Sequence, residues 1–170
     1  MATKAEVPLE TSSISDLATA EAKQISDNLI ERDVWTVREA LRIAREGKLL
    51  VYTSTISIAE CLGTDPRSPK IPDKLMRFLD QLFLSGRSGI RLVQTTQAIC
   101  TSARDIRWVT GIGGIKGNDG IHVATARFMK CGELWTRDEV HILSKKDALM
   151  ELGVRVNQPH DSRLIPLRCH

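Results

Sequence analysis

The chain has 170 residues, enough for one domain with a substantial core, and 42% hydrophobic against 26% charged residues excludes a mostly disordered chain. Aromatics are only 4%, so Leu, Ile, Val and Ala must fill that core, and an aromatic stacking platform for single-stranded nucleic acid is not expected. Seven acids and three bases give residues 1–36 a balance of −4, which leaves +7 for the rest of a chain whose net charge is +3. A body of that charge attracts phosphate weakly, although an ordinary solvated surface explains the charge as well.

Leu17, Ala18, Ala20, Ala22, Ile25, Leu29 and Ile30 predict a first helix, and Val34, Val37, Leu41 and Ala44 a second that runs into Gly47. The β-branched and apolar run Lys48–Thr53 predicts a strand. Leu75, Phe78, Leu79, Leu82 and Phe83 form an apolar helical stripe after Pro72, and Ile90–Gln94 is a strand entered through Gly86 and Gly89. A helix over about Thr96–Trp108 follows. The next, Asp119–Lys130, starts behind Gly117-Asn118 and stops at Gly132. Glu133–Thr136 and Gly153–Asn157, the latter closed by Pro159, are the remaining strands.

Strands that alternate with helices pair in parallel through right-handed crossovers. The expected fold class is therefore α/β, a three-layer α/β/α sandwich with a mainly parallel central sheet, in one domain over 1–170 with loose tails at about 1–6 and 164–170. Cys61, Cys100, Cys131 and Cys169 lack any C-x-x-C pair, so free buried thiols are expected rather than disulfides or zinc ligands. No apolar run approaches 18 residues and no secretory signal is visible, so a cytoplasmic protein without a membrane partner is expected.

In open parallel sheets the functional crevice lies outside the carboxyl ends of the strands. Three acids are placed there. Asp138 follows the strand ELWT, Glu60 follows KLLVYT through Ser54–Ile58, and Asp119 opens its helix. Singly, each has a plain structural explanation, as a helix cap or an exposed helix residue. Together they would repel one another without a cation, and hard divalent ions choose oxygen ligands.

The segment Asn118-Asp119-Gly120-Ile121-His122-Val123-Ala124-Thr125-Ala126 resembles the helix signature D-x-x-H-x-A-x-A of the PIN-domain nucleases. Leu134-Trp135-Thr136-Arg137-Asp138 resembles that family's later strand with T-x-D, and Thr53–Glu60 its second acidic segment; order and spacing agree over residues 48–159. The resemblance implies a PIN-like fold and a metal-dependent RNA endonuclease, similar to the VapC-type toxin ribonucleases, with Mg²⁺ or Mn²⁺ held by about four acids. The matching acids are Glu60, Asp119 and Asp138. The family's first acid is an Asp directly after the first strand; here Val7-Pro8-Leu9-Glu10-Thr11-Ser12 puts Glu10 in that place, behind a proline that a central strand does not readily accept. Asp16 and Asp27 are poorer substitutes, since no strand precedes them. The resemblance also implies a homodimer and an antitoxin-like inhibitory protein as partners besides RNA.

Thr136 and Asn118 are candidates to hydrogen-bond the ligating carboxylates, and Lys116, Arg137 and Arg104 to attract a phosphate backbone. His122, one turn beyond Asp119, is placed either as a ligand or base or, from its apolar neighbours, as a packed histidine with a satisfied hydrogen bond. Trp108 and Trp135 are placed in core or interface contacts. The alternative to the nuclease is a degenerate PIN-like domain that binds RNA or protein without catalysis.

Overall fold

The aliphatic run after Gly47 becomes β2, Leu49–Ser54, with almost every residue buried, as a parallel strand covered on both faces requires. The computed structural model describes residues 4–26, 28–61, 71–108 and 111–165. In it β2 pairs in parallel with β1 (Ala5–Pro8) on one side, Ala5 opposite Leu49 and Pro8 opposite Tyr52. On the other side it pairs with β3 (Ile90–Val93), Val51 opposite Ile90 and Ser54 opposite Val93. A second parallel pair joins β4 (Leu134–Trp135) to β5 (Val156–Asn157).

The two sheets meet edge to edge. Leu9 bridges Trp135 in parallel, and the Glu10 amide donates to the Trp135 carbonyl at 2.9 Å. The strand order is therefore β3-β2-β1-β4-β5, and it reverses between β1 and β4. Pro8 is tolerated for a geometric reason. The Leu9 amide donates to Tyr52 in β2 and the Glu10 amide to Trp135 in β4, so the missing Pro8 donor faces the β4 side, one residue before that ladder begins.

Successive side chains of a strand point to opposite faces. Val7 of β1, Leu9 just beyond it, and Leu49 and Val51 of β2 enter one core with α1 (Thr11–Ala22), α2 (Arg32–Arg45) and α4 (Asp73–Phe83). A second core joins α5 (Gln97–Trp108) and α6 (Gly117–Phe128) to β4, β5 and α7 (Lys146–Glu151). Helix α6 also packs on β1 and β2. The architecture is the α/β/α sandwich with a parallel sheet that the alternation of elements predicts.

Helices α5 and α6 approach closely because α6 carries small residues. A Cβ on Gly120 would lie 3.3 Å from the Ala103 carbonyl oxygen, and Ala124 and Ala126 are fully buried. Gly89, at the entry to β3, has φ +88° and sits where a Cβ would come within 2.9 Å of the Leu41 carbonyl oxygen. Only glycine meets both conditions.

Three expectations change. The first helix does not run to Ile30: it begins at Thr11, directly after Glu10, and ends at Ala22, where Gln24 turns the chain at φ 53°. Leu29 is exposed and Ile30 buried, both in the connection to α2. Of the core or interface contacts expected for Trp108, the core one does not occur. Trp108 is 70% exposed at the end of α5, with the Arg107 guanidinium over its ring, whereas Trp135 is wholly buried. Cys100 is free but exposed; Cys61 and Cys131 are free and buried, which pushes the Cys61 thiol up to about 11. Cys169 and Asp27 lie outside the described residues.

Ala5 and Glu6 are strand residues of β1, and Ile165 is buried in the first core. Among the described residues, no helix is long and apolar enough to cross a membrane.

Candidate active site at the carboxyl edge of the sheet

The strand order reverses between β1 and β4, and the crevice expected beyond their carboxyl ends is the usual place for a ligand in an open α/β sheet. Glu10 stands there as the N-cap of α1 and is buried. Its Oε2 accepts from the Ser12 amide at 2.9 Å, from the Thr136 hydroxyl at 2.9 Å and from the Ser12 hydroxyl. The Ser12 oxygen in turn accepts the Arg137 amide at 2.9 Å, and the Thr136 oxygen accepts the Asp138 amide at 3.0 Å. The T-R-D segment after β4 is thus bound to the first turn of α1 by side chains as well as by the sheet.

Glu60 ends α3 (Ile56–Glu60), the short helix that leaves β2. Its Oε2 accepts from the Thr11 hydroxyl and lies 2.8 Å from His122 Nε2. Burial acts to raise the Glu60 carboxyl, but hydrogen bonds from His122, Thr11 and Asn118, with the charge of His122, outweigh it and hold the group below its ordinary value. His122 is fully buried, its Nε2 3.0 Å from Thr11 Oγ1. Its ring is both packed and hydrogen-bonded to an acid of the crevice. Thr53, Ser57 and Thr11 extend a run of buried hydroxyls beneath it, 2.7 and 3.1 Å apart in sequence, with Thr53 donating to the Leu9 carbonyl.

Asp119 is the third residue of α6 and half-buried, and its Oδ2 accepts the Lys116 amide at 3.3 Å, a long contact. Burial pushes its carboxyl up, and the charges of Asp138 and Glu10 push further, against the Lys116 amide and His141. Asp138 Oδ1 accepts the amides of Val140 at 3.0 Å and His141 at 2.8 Å, and the His141 ring places Nδ1 3.0 Å from Oδ2. Burial alone would raise Asp138, but the His141 amide and imidazole and the Val140 amide hold it below the ordinary Asp value.

All four sequence-predicted acids therefore reach the same edge, but not as one set. They divide into Glu10, Glu60 and His122, and Asp119, Asp138 and His141, each with ligand atoms within 4.8 Å of one another. The charge of Glu10 felt at Asp119 couples the two halves. Either donor set, carboxylates with an imidazole, is chemically able to hold a divalent ion.

Thr136 does hydrogen-bond Glu10, at 2.9 Å, and Asn118 lies near enough to Glu60 to help lower its carboxyl. Arg137 is not free to attract phosphate, because its guanidinium pairs with Asp16, with Glu31 at 2.6 Å and with Asp33 at 3.4 Å. Arg104 pairs with Asp105 on the surface, and Lys116 is exposed at the start of α6. Sequence reasoning missed His141, Thr11 and Ser12. Their only signal was position: His141 three residues after Asp138, and the two hydroxyls directly after Glu10.

The class of fold is the PIN-like α/β/α sandwich. The chain is similar in structure to FitAB bound to an IR36 DNA fragment, with a TM-score of 0.60 and 22% identity over 96% of this chain and 99% of that one. It is also similar to FitAcB from Neisseria gonorrhoeae, with a TM-score of 0.54 and 19% identity over 92% of this chain and 99% of that one. No family model matches the chain, and no curated protein matches it. At these identities the likeness establishes a shared fold.

Proposed function

We propose that the protein is a metal-dependent endoribonuclease that hydrolyses phosphodiester bonds at the β1/β4 crevice. The observation that carries this reading is the gathering of Glu10, Glu60, Asp119 and Asp138, from four separate stretches of the chain, into two groups at the carboxyl edge of the sheet. Carboxylates so placed repel one another, and at Asp119 the charges of Asp138 and Glu10 add to burial, the larger cause, in raising the carboxyl. A cation is the direct remedy. These four acids are the residues that would hold Mg²⁺ or Mn²⁺. When bound, such an ion lowers the pKa of a water and offsets charge that develops on phosphoryl oxygens.

The chain's own residues supply the orientation. Thr136 and Ser12 fix the Glu10 carboxylate, and Thr11 and His122 fix that of Glu60. The Val140 and His141 amides hold Asp138 Oδ1, and the His141 ring lies beside Oδ2. Ligands locked in this way lose little freedom when an ion arrives. RNA as the substrate, a homodimer and an inhibitory partner protein rest on the motif resemblance. Because FitAB is bound to a DNA fragment in its structure, DNA belongs beside RNA in any substrate test.

A second reading is a PIN-like module that binds nucleic acid or protein without cutting. It is favoured by the use of Glu10 as a helix cap, which already occupies Oε2. Incubation of the purified protein with RNA and DNA pools, with Mg²⁺, Mn²⁺ or chelator, separates the two. The nuclease cuts RNA only with metal and loses about a hundredfold of its rate in Asp119→Asn. Retention of RNA without cleavage under every condition overturns it in favour of the binding module.

A further inference from the structure

We propose that His141 is a third ligand beside Asp119 and Asp138, so that this half of the crevice takes a first-row transition-metal ion in preference to Mg²⁺. The assignment rests on the metal-dependent reading of the site and adds to it a nitrogen donor that the four-carboxylate set does not contain. It also implies a preference among divalent ions.

The geometry of the turn after β4 presents the imidazole. The His141 and Val140 amides both donate to Asp138 Oδ1, which draws the turn tight and sets the ring beside the carboxylate. Nδ1 lies 3.0 Å from Oδ2 and 3.2 Å from Oδ1. One ligand atom from each of Asp119, Asp138 and His141 lies within 4.8 Å of the others, a spread that suits the coordination shell of a single ion. The side chains of His141 and Asp138 are 29% and 24% exposed, so an ion and its waters have access.

The other half of the crevice differs. His122 is wholly buried, and its Nε2 already faces both Thr11 and Glu60, whose oxygen also takes the Thr11 proton. That imidazole is buried between two protein groups, whereas the His141 ring meets Asp138 and is 29% exposed. Neutral imidazole is a good ligand for first-row transition ions, whereas Mg²⁺ prefers oxygen and keeps its waters. Affinity in such a site rises from Mn²⁺ to Co²⁺.

The test measures metal binding without any substrate. Calorimetric titration of the metal-free protein with Mg²⁺, Mn²⁺ and Co²⁺ is compared for the parent, His141→Ala and His141→Gln, with circular dichroism to verify that each variant is folded. The expected parent order is Co²⁺ tightest, then Mn²⁺, then Mg²⁺. In both variants the Co²⁺ and Mn²⁺ affinities fall about tenfold or more, and Mg²⁺ binding is unchanged. The electron spin echo of bound Mn²⁺ shows coupling to an imidazole nitrogen in the parent that His141→Ala abolishes. If removal of the ring tightens all three ions, His141 is a counter-ion that competes with metal, and the assignment is overturned. Metal binding with an unchanged preference overturns the assignment and leaves the nuclease reading standing. A parent that binds none of the three ions overturns both.

Discussion

The hydroxyl of Thr136 donates to the carboxylate of Glu10 at 2.9 Å and ties the end of β4 to the end of β1 at the point where the strand order reverses. The same oxygen accepts the Asp138 amide, so one threonine positions acids from two strands. A hydroxyl has one proton and two lone pairs, which is enough for both bonds.

Glu10 is consequently both a cap and a candidate ligand, and two substitutions separate the roles. Glu10→Ala removes the acceptor of Ser12 and Thr136 and costs about 2 kcal/mol, read as a lower Tm. Glu10→Asp keeps a good N-cap and melts near the parent, while it restores the shorter carboxylate that the family resemblance places after the first strand. Metal affinity and cleavage are expected to rise in Glu10→Asp and fall in Glu10→Ala. Equal metal binding in all three proteins removes Glu10 from the site.

Much of this arrangement was legible in the sequence because parallel strands announce themselves as short buried runs. The LLVYT run and the small-residue face of the D-x-x-H-x-A-x-A helix are local patterns, and both hold. The extent of α1 was not legible. Its start is set by the Glu10 cap and its end by a left-handed turn at Gln24, while Ile25, Leu29 and Ile30 continue an apolar spacing that the chain uses in a connection instead. The division of the acids into two groups depends on side-chain partners such as Thr11 with Glu60, distant in sequence by 49 residues. No local pattern carries such a pairing. The role of Arg137 was hidden for the same reason, since Asp16, Glu31 and Asp33 meet it only after folding.

Arg137 is expected to matter for stability more than for phosphate binding. Its guanidinium joins the end of β4 to α1 and α2, and its partner Asp33 is nearly buried and also accepts from the His160 amide at 2.9 Å. Arg137→Ala leaves Asp33 with His160 alone and costs about 1–2 kcal/mol, less than a wholly buried pair because the arginine is part-exposed. Denaturant unfolding checks this. A variant as stable as the parent, with weakened RNA binding, would assign Arg137 to the nucleic-acid surface instead.

Gly89 is predicted to be the least replaceable glycine among those described. Gly89→Ala must carry a Cβ at positive φ and push it against the Leu41 carbonyl, the backbone of α2. The cost is about 1–3 kcal/mol from the backbone conformation, with the clash in addition. Gly86→Ala, at φ +66° with open space around the added Cβ, carries only the first cost and serves as the control. Equal loss of Tm in the two variants would show that the contact with Leu41 is relieved without penalty.

Asp119 and Glu60 are expected to respond to pH with opposite signs in the metal-free protein. The Asp119 carboxyl is raised above its ordinary 3.8, by burial first and then by the charges of Asp138 and Glu10. Its ionised form therefore opposes folding, a penalty that appears as pH climbs from 3.8 through the raised value and is complete above it. Asp119→Asn removes the charge and keeps an oxygen for the Lys116 amide. It should melt higher than the parent at pH 7 in chelator, and the difference should vanish as pH falls to 3.8 and below. The Glu60 carboxyl is held below its ordinary 4.5, because the bonds from His122, Thr11 and Asn118 outweigh the burial that acts against them. Its stabilisation is present above 4.5 and is lost as pH falls through the lowered value. Glu60→Gln should accordingly melt lower than the parent at pH 7, with a gap that closes in acid. Thermal melts of the three proteins from pH 3 to pH 8 read both signs at once. If the two variants shift Tm in the same direction at pH 7, Asp119 and Glu60 do not differ in environment, and the opposite signs assigned to the two carboxyls are wrong.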